Sequence, residues 1–107
     1  MASAEQNISF VTVTIIPNAG GGPAGKLADA ELHFHGSPLG GLKLIGFSVW
    51  ARRDNERTIT FPARQYSVNG ERRSFALLRP TTDAADADAI RQAILEEYSR
   101  FEGVSDR

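Results

Sequence analysis

The stretch from residue 42 to residue 80 constrains the fold most, because prolines and turn-forming residues divide it into short segments of alternating polarity. In the first segment the side chains of Ile45, Phe47 and Val49 are predicted to lie on one side, a period of two that is typical of a half-buried strand. Pro62 ends a second, β-branched segment, since proline has no backbone N–H to donate to a ladder. Residues 73–78 alternate again. The stretch therefore predicts a meander of three antiparallel strands.

Two turns are expected to join these strands. Asn69 and Gly70 give the stronger signal, because both residue types accept the positive φ that a two-residue type I′ hairpin turn requires. Asp54 and Asn55 predict the other turn, since short Asx side chains bond back to the local backbone. We therefore expect the Asn69–Gly70 turn to join the second and third strands of the meander.

Two more strands are predicted before the meander and one helix after it. Residues 8–16 are rich in β-branched side chains. Residues 26–34 alternate like a strand, although several of them are good helix formers. Beyond Pro80 an N-cap is expected among residues 81–83 and a stop at Gly103. Between them an apolar stripe recurs at helical spacing: Ala87, Ile90, Ile94, Tyr98 and Phe101, with Gln92, Glu96 and Ser99 opposite.

The predicted fold class is α+β, an antiparallel sheet meander of about five strands followed by one C-terminal amphipathic helix packed on the sheet. A length of 107 residues predicts one domain, 1–107, with residues 1–7 flexible and 103–107 frayed. The absence of cysteine excludes disulfides, zinc ribbons and a thiol nucleophile. No signal peptide and no apolar run of about 20 residues is evident, so we expect a cytoplasmic protein without membrane contact.

The charges are unevenly distributed along the chain. Residues 52–79 carry seven arginines against three acids, a net charge of +4, whereas residues 80–107 carry a net charge of −4. The total of −1 hides this segregation. Such a distribution predicts a basic surface and an acidic surface on one small body.

Two motifs suggest other chemistry but lack parts that it needs. Residues 20–26 match the first seven positions of a phosphate-binding loop, but Leu27 follows where a magnesium-binding Ser or Thr is required, so a glycine-rich connection is favoured. His33 and His35 share a strand face with Asp29 and Glu31, which suits a transition metal, yet solvated histidines at a strand end are favoured. No nucleophile–base pair can be drawn. We expect no enzyme activity, cofactor, metal or small-molecule substrate.

The arginines give the best functional signal in the sequence. Arginine offers a fixed fork of donors to phosphate oxygens, and aromatic side chains can stack on unpaired bases. Such arginines are also often only solubilising, or are paired with nearby acids. The candidate nucleic-acid-binding residues are Arg64, Arg72, Arg73, Arg52, Arg53, Arg57 and Tyr66, with Trp50 and Phe75 interleaved among them.

The second half of the chain resembles the SpoVG (stage V sporulation protein G, septation regulator) family. The resemblance lies in Phe61–Arg64, Asn69–Phe75, Arg79–Pro80, Ala89–Leu95 and Glu97–Tyr98. It implies a small bacterial regulator that binds DNA or RNA and forms a homodimer through sheet and helix elements. The family's basic turn falls on Arg64, while Gln65 stands where a second basic residue is usual.

From the residues and this resemblance we expect a dimeric nucleic-acid-binding regulator. The alternative is a non-catalytic protein-interaction module on the same fold, which docks a partner through an exposed sheet edge or the acidic helix face.

Overall fold

The computed structural model describes residues 10–18 and 23–105, so the expectation that residues 1–7 are flexible lies outside the described residues. The chain forms six strands, one short 3-10 turn and one helix. In chain order these are β1 (Val11–Pro17), β2 (Lys26–Phe34), β3 (Lys43–Ala51), the 3-10 turn (Arg53–Asn55), β4 (Arg57–Thr60), β5 (Ala63–Val68), β6 (Glu71–Ala76) and α1 (Ala85–Ser105). The predicted α+β class with a C-terminal helix is confirmed, with one strand more than expected.

Four of the strands form one antiparallel sheet in the order β1-β2-β3-β4. The ambiguous segment 26–34 is a strand, and its alternation places Ala28, Ala30 and Leu32 in the core at 1% exposure or less. Tertiary packing on one face thus makes residues 26–34 a strand despite their helix-forming composition.

The turn predicted at Asp54 and Asn55 is also present, and both residues have positive φ.

The helix α1 covers one face of the four-stranded sheet. Its predicted apolar stripe is confirmed: Ile94 and Tyr98 are buried, and they pack with Phe47, Val49 and Ile59. The predicted opposite side chains Gln92, Glu96 and Ser99 are exposed. Burying such a stripe is what stabilises a helix of this composition.

The two ends of α1 fit the sequence prediction differently. The backbone N–H of Ala85 donates to Oδ1 of Asp83 at 3.0 Å, as expected for a side-chain cap from residues 81–83. The predicted stop at Gly103 is wrong, since the helix continues to Ser105. Gly103 has no positive φ, and an internal glycine costs a helix only about 1 kcal/mol relative to alanine, too little to end it. Residues 106–107 of the predicted frayed end lie outside the described part of the chain.

A bulge in β3 changes which side chains face the core. Ala30 pairs with Phe47, but Leu32 pairs with Leu44, so β3 carries one residue more than β2 over this interval. Leu44 therefore points toward the core and is half-buried, whereas Ile45 is 57% exposed. The prediction that Ile45 shares a face with Phe47 and Val49 is wrong, because the bulge reverses the alternation before Phe47.

Gly46 makes this bulge possible. Its φ is +106°, a region that L side chains rarely adopt. A Cβ at this position would also lie 2.9 Å from the Cβ of Pro62, which is buried against it. The close approach of Pro62 fixes the point at which the chain leaves the four-stranded sheet.

The predicted three-strand meander is wrong at its third strand. After Pro62 the chain starts a new strand, β5, and β5 and β6 form a separate two-stranded sheet. The Asn69–Gly70 turn is confirmed, but it joins β5 to β6 rather than the strand before Pro62 to the strand after it. Pro62 ends β4, but no loop follows it. Residues 63–68 continue directly as a strand, and this strand pairs with β6.

Candidate nucleic-acid interface

The β5–β6 hairpin presents both of its faces to solvent. All six residues of β5 are exposed, as are five of the six in β6. The two strands pair only with each other among the described residues, and one further bond, from the N–H of Leu77 to the C=O of Pro62 at 2.8 Å, extends the ladder at its base. The hairpin is therefore an arm that extends from the packed body.

The register of the hairpin sorts its residues onto two faces. Arg64 pairs with Phe75, and Tyr66 pairs with Arg73, so these four side chains share one face, here called the aromatic–arginine face. The rings of Tyr66 and Phe75 meet edge to face with centroids 5.7 Å apart. They remain 41% and 40% exposed, which leaves ring surface open to a ligand.

The charges on the aromatic–arginine face are partly neutralised. Nη2 of Arg73 lies 2.9 Å from Oε1 of Glu71 on the same face, in an ion pair whose two side chains are both more than half exposed. Within the described residues no carboxylate lies within 4.0 Å of the Arg64 guanidinium. An exposed ion pair contributes little stability, so Arg73 can exchange Glu71 for a phosphate at small cost.

Arg72 lies on the opposite face of the hairpin. It pairs with Ser67, and its neighbours on that face are Gln65 and Ser74. The sequence placed Arg64, Arg72 and Arg73 in one set, whereas the structure separates Arg72 from the other two. A nucleic-acid strand lying on the aromatic–arginine face would reach Arg72 only around the edge of the hairpin.

The remaining candidate arginines, Arg52, Arg53 and Arg57, lie at the other end of β4 from the hairpin. Arg52 precedes the 3-10 turn and Arg53 begins it; both are exposed, and neither has a carboxylate within 4.0 Å in the described part of the chain. The two basic clusters therefore belong to different sheets, separated by the length of β4. They are two basic surfaces rather than one.

Arg57 is bound within the protein. Its Nη2 lies 2.8 Å from Oε2 of Glu102 near the end of α1, and its Nη1 donates to the C=O of Asn55 at 3.0 Å. The hydrogen bond that Arg57 donates to Glu102 raises the pKa of Arg57, and burial raises the pKa of the neighbouring Tyr98, with Glu102 adding to it. Arg57 thus ties the β3–β4 turn to the helix.

The aromatic set is divided as well. Trp50 lies on the sheet face that α1 leaves open, where its indole N–H donates to Oγ1 of Thr60 at 2.9 Å. It therefore takes no part in the aromatic–arginine face. Phe75 does, although sequence reasoning left it out of the candidate residues. The signal was present, since a two-residue Asn69–Gly70 loop fixes residue 75 opposite residue 64.

The two histidines are held by different partners. Nε2 of His33 lies 3.0 Å from Oε1 of Glu31, which also bonds Nζ of Lys43 at 3.2 Å. These two hydrogen bonds, that of His33 first, lower the pKa of Glu31. His35 instead bonds Oγ1 of Thr12 at 2.6 Å. Over residues 10–18 and 23–105 no group of three or more metal-ligating side chains comes together.

The glycine-rich motif leads into a strand. Lys26 is the first residue of β2, and its Nζ lies 2.7 Å from Oδ1 of Asp29. A phosphate-binding loop needs a helix N-terminus at this point, so the expected strand is confirmed and the lysine is already paired. Residues 19–22 of the motif lie outside the described residues.

Comparison of the chain with protein-family models, with curated proteins and with solved structures finds no match. The resemblance to the SpoVG family therefore stays a prediction from sequence. In the described part of the chain, no helix is both long and apolar enough to cross a membrane.

Proposed function

We propose that this protein is a nucleic-acid-binding regulator that holds unpaired DNA or RNA on the aromatic–arginine face of its β5–β6 hairpin. The observation that carries the proposal is the checkered arrangement of Arg64, Tyr66, Arg73 and Phe75 on one exposed face. Arginine neutralises phosphates, and exposed rings stack on bases of any sequence, each stacked base contributing about 1–3 kcal/mol. Duplex DNA hides those base faces, which is why unpaired strands are favoured.

Within this proposal the predicted residues divide by role. Arg64 and Arg73 contact phosphates, Tyr66 and Phe75 stack, and Arg72 contacts a strand that turns around the hairpin edge. Arg52 and Arg53 extend a second basic surface, which adds long-range attraction but no stacking. Arg57 is left out of the contact set, because its two terminal nitrogens are engaged by Glu102 and by the turn backbone.

Anisotropy titrations of labelled oligonucleotides test the proposal. The Arg64→Gln/Arg73→Gln variant is expected to bind a single-stranded oligonucleotide at least about tenfold more weakly, and the magnitude of its salt slope is expected to fall by about 1.4, since each phosphate contact to a single strand contributes about 0.7. The matched control is Arg52→Gln/Arg53→Gln, which removes the same charge at the other basic surface. Equal losses in the two variants would mean that net charge alone attracts the oligonucleotide, and would overturn the assignment to the hairpin.

Stacking is tested separately from charge. Tyr66→Ala/Phe75→Ala keeps every arginine, and it is expected to weaken single-strand binding while leaving weak duplex binding unchanged. A variant that binds single strands as the unaltered protein does would remove the aromatic rings from the proposal.

We further propose that the protein is a homodimer. An isolated two-stranded hairpin is only marginally stable in water, so an arm of this kind calls for a partner surface. Ile45 and Leu77 are 57% and 56% exposed, and both lie near the base of the arm: Ile45 is next to Gly46, which Pro62 approaches, and the N–H of Leu77 donates to the C=O of Pro62. Ile45→Ser/Leu77→Ser is expected to sediment as a monomer while the unaltered protein sediments as a dimer, and a monomeric unaltered protein would contradict this part of the proposal.

The alternative function, a protein-interaction module, is favoured by a different part of the molecule. Five acids against two arginines give α1 a net charge of −3, while the candidate nucleic-acid-binding arginines lie outside the helix. A protein partner recovered with the chain after nuclease treatment would support this alternative, whereas loss of all partners on nuclease treatment would support nucleic-acid binding.

A further inference from the structure

The outer edge of β1 is unpaired in the described part of the chain. In the sheet order β1-β2-β3-β4, β1 pairs with β2 on one side only. Every second residue of such a strand directs its N–H and C=O away from the sheet. Proteins commonly protect an edge with a charged residue or a bulge, but β1 has the sequence VTVTIIP and pairs with β2 in continuous register. Its edge, as far as Pro17, can accept another strand.

A groove follows this edge between β1 and α1. Its first part, about 540 Å³, is lined by Val11 and Val13 of the strand and by Ala89 and Ala93 of the helix. A second part, about 380 Å³, continues past Ile15. Ala89 and Ala93 are one helical turn apart, and their small side chains leave room next to the strand. The groove therefore offers apolar space beside unpaired backbone groups.

The charge at the rim of the groove is negative. Glu97 is paired with Arg100 at 2.6 Å, which neutralises both groups. Glu96, on the same rim, has no cation within 4.0 Å in the described residues. The strand itself adds no charge.

We propose that the β1 edge binds an extended basic peptide segment of a partner protein, which adds to the sheet as a strand beside β1. Apolar side chains of the peptide at alternate positions face α1 and fill the groove over Ala89 and Ala93, and a Lys or Arg at a position that faces the same side meets Glu96. Backbone hydrogen bonds supply affinity in this binding mode, and the alternate side chains supply specificity. A second copy of this chain is disfavoured here, since pairing two β1 edges would bring together two α1 helices, each with a net charge of −3.

The probe, here called the valine–lysine peptide, is a capped, labelled peptide of about nine residues with valine at positions 3, 5 and 7, lysine at positions 1 and 9, and threonine at the even positions, so that all valines and lysines share one face. It is expected to bind at least about tenfold more tightly than the same peptide with glutamate in place of both lysines. A valine–lysine peptide with a central proline keeps the charge but loses a backbone donor, and it is expected to lose most of the affinity. Equal binding of the proline peptide would overturn the proposal, because the interaction would then need no added strand.

Variants of the protein locate the site. Ala93→Phe fills the groove from the helix side and is expected to abolish peptide binding without unfolding the protein, which the circular dichroism spectrum checks. Glu96→Lys is expected to weaken binding severalfold, and Ser99→Lys, which adds the same charge to the same helix outside the groove, is the matched control. Unchanged binding in Ala93→Phe, or conversion of a dimer to a monomer by that variant, would overturn the proposal, the latter in favour of a second copy.

The hairpin separates this proposal from the previous one. Arg64→Gln/Arg73→Gln is expected to bind the valine–lysine peptide as the unaltered protein does, because the aromatic–arginine face belongs to a different sheet. Loss of peptide binding in this variant would place the peptide on the hairpin and not on β1.

Discussion

The four-stranded sheet with its helix and the β5–β6 hairpin use similar side chains in opposite ways. In the sheet, Phe47 is fully buried and Lys43 and Lys26 are paired with carboxylates. In the hairpin, Phe75 is 40% exposed and Arg64 has no carboxylate within 4.0 Å in the described residues. Stability is therefore concentrated in the first region, while side chains available for binding are concentrated in the second. Substitutions in the two regions are expected to separate folding from binding.

The largest expected effect tests this separation with two phenylalanines. Phe47→Ala removes a core ring whose centroid lies 5.1 Å from the centroid of the Phe61 ring. This substitution is expected to lower the free energy of unfolding by about 3–5 kcal/mol. Phe75→Ala is expected to cost less than about 1 kcal/mol, because its ring is already partly in water. Urea denaturation of the two variants provides the measurement. Equal losses would mean that the hairpin is part of the cooperative core.

The next largest effect concerns the bulge that divides the two regions. Gly46→Ala adds a Cβ at a φ of +106° and within 2.9 Å of Pro62, so we expect a loss of about 2–3 kcal/mol in stability. Gly41→Ala is the control, because Gly41 also has positive φ but has open space around it, and about 1 kcal/mol is expected there. If thermal denaturation shows the same loss in both variants, the contact with Pro62 contributes nothing.

A smaller effect distinguishes the bound arginine from the free ones. Arg57→Gln breaks the contact with Glu102, and it is expected to cost about 1–2 kcal/mol, since the pair is only partly shielded from water. Arg53→Gln, four residues earlier and exposed, is expected to be neutral within about 0.5 kcal/mol. A double-mutant cycle with Glu102→Gln measures the coupling, and a coupling of zero would refute the role of Arg57 as a tie.

The smallest effect depends on pH. His33 and Lys43 lower the pKa of Glu31 in the folded protein, so the carboxylate stabilises the fold at pH values above its ordinary pKa. That contribution is lost as the pH falls through the lowered folded-state value. Glu31→Gln is expected to be less stable than the unaltered protein near neutral pH, with the difference disappearing in acid. A difference that grows on acidification, measured by urea denaturation, would contradict this assignment.

Much of the packed body could be predicted from the sequence. The helix stripe at Ile94 and Tyr98 and the alternation of Ala28, Ala30 and Leu32 both follow from a single buried face, and a buried face leaves a periodic record in the chain. The Asn69–Gly70 turn was equally predictable, because few residue pairs accept its backbone geometry. It also fixed which hairpin side chains share a face.

The candidate site was predicted only in part. The sequence identified the arginines, but it did not show which of them share a surface or which form an ion pair within the protein. Both depend on residues that come together only in the fold. Arg57 lies 45 positions from Glu102 along the chain, and only their meeting in the fold removes it from the binding surface. Arg72 and Arg73 are adjacent in sequence, but they point to opposite faces once the strand forms.

The sequence by itself determined the α+β class, the turns and the buried faces, since each depends on local geometry or on a period along the chain. Only the tertiary structure decided that residues 63–68 form a separate sheet with β6, which face Ile45 takes, and which basic side chains remain available. These outcomes depend on contacts between residues far apart in sequence, above all the close approach of Pro62 to Gly46. Such a contact appears only when the strands have been placed side by side.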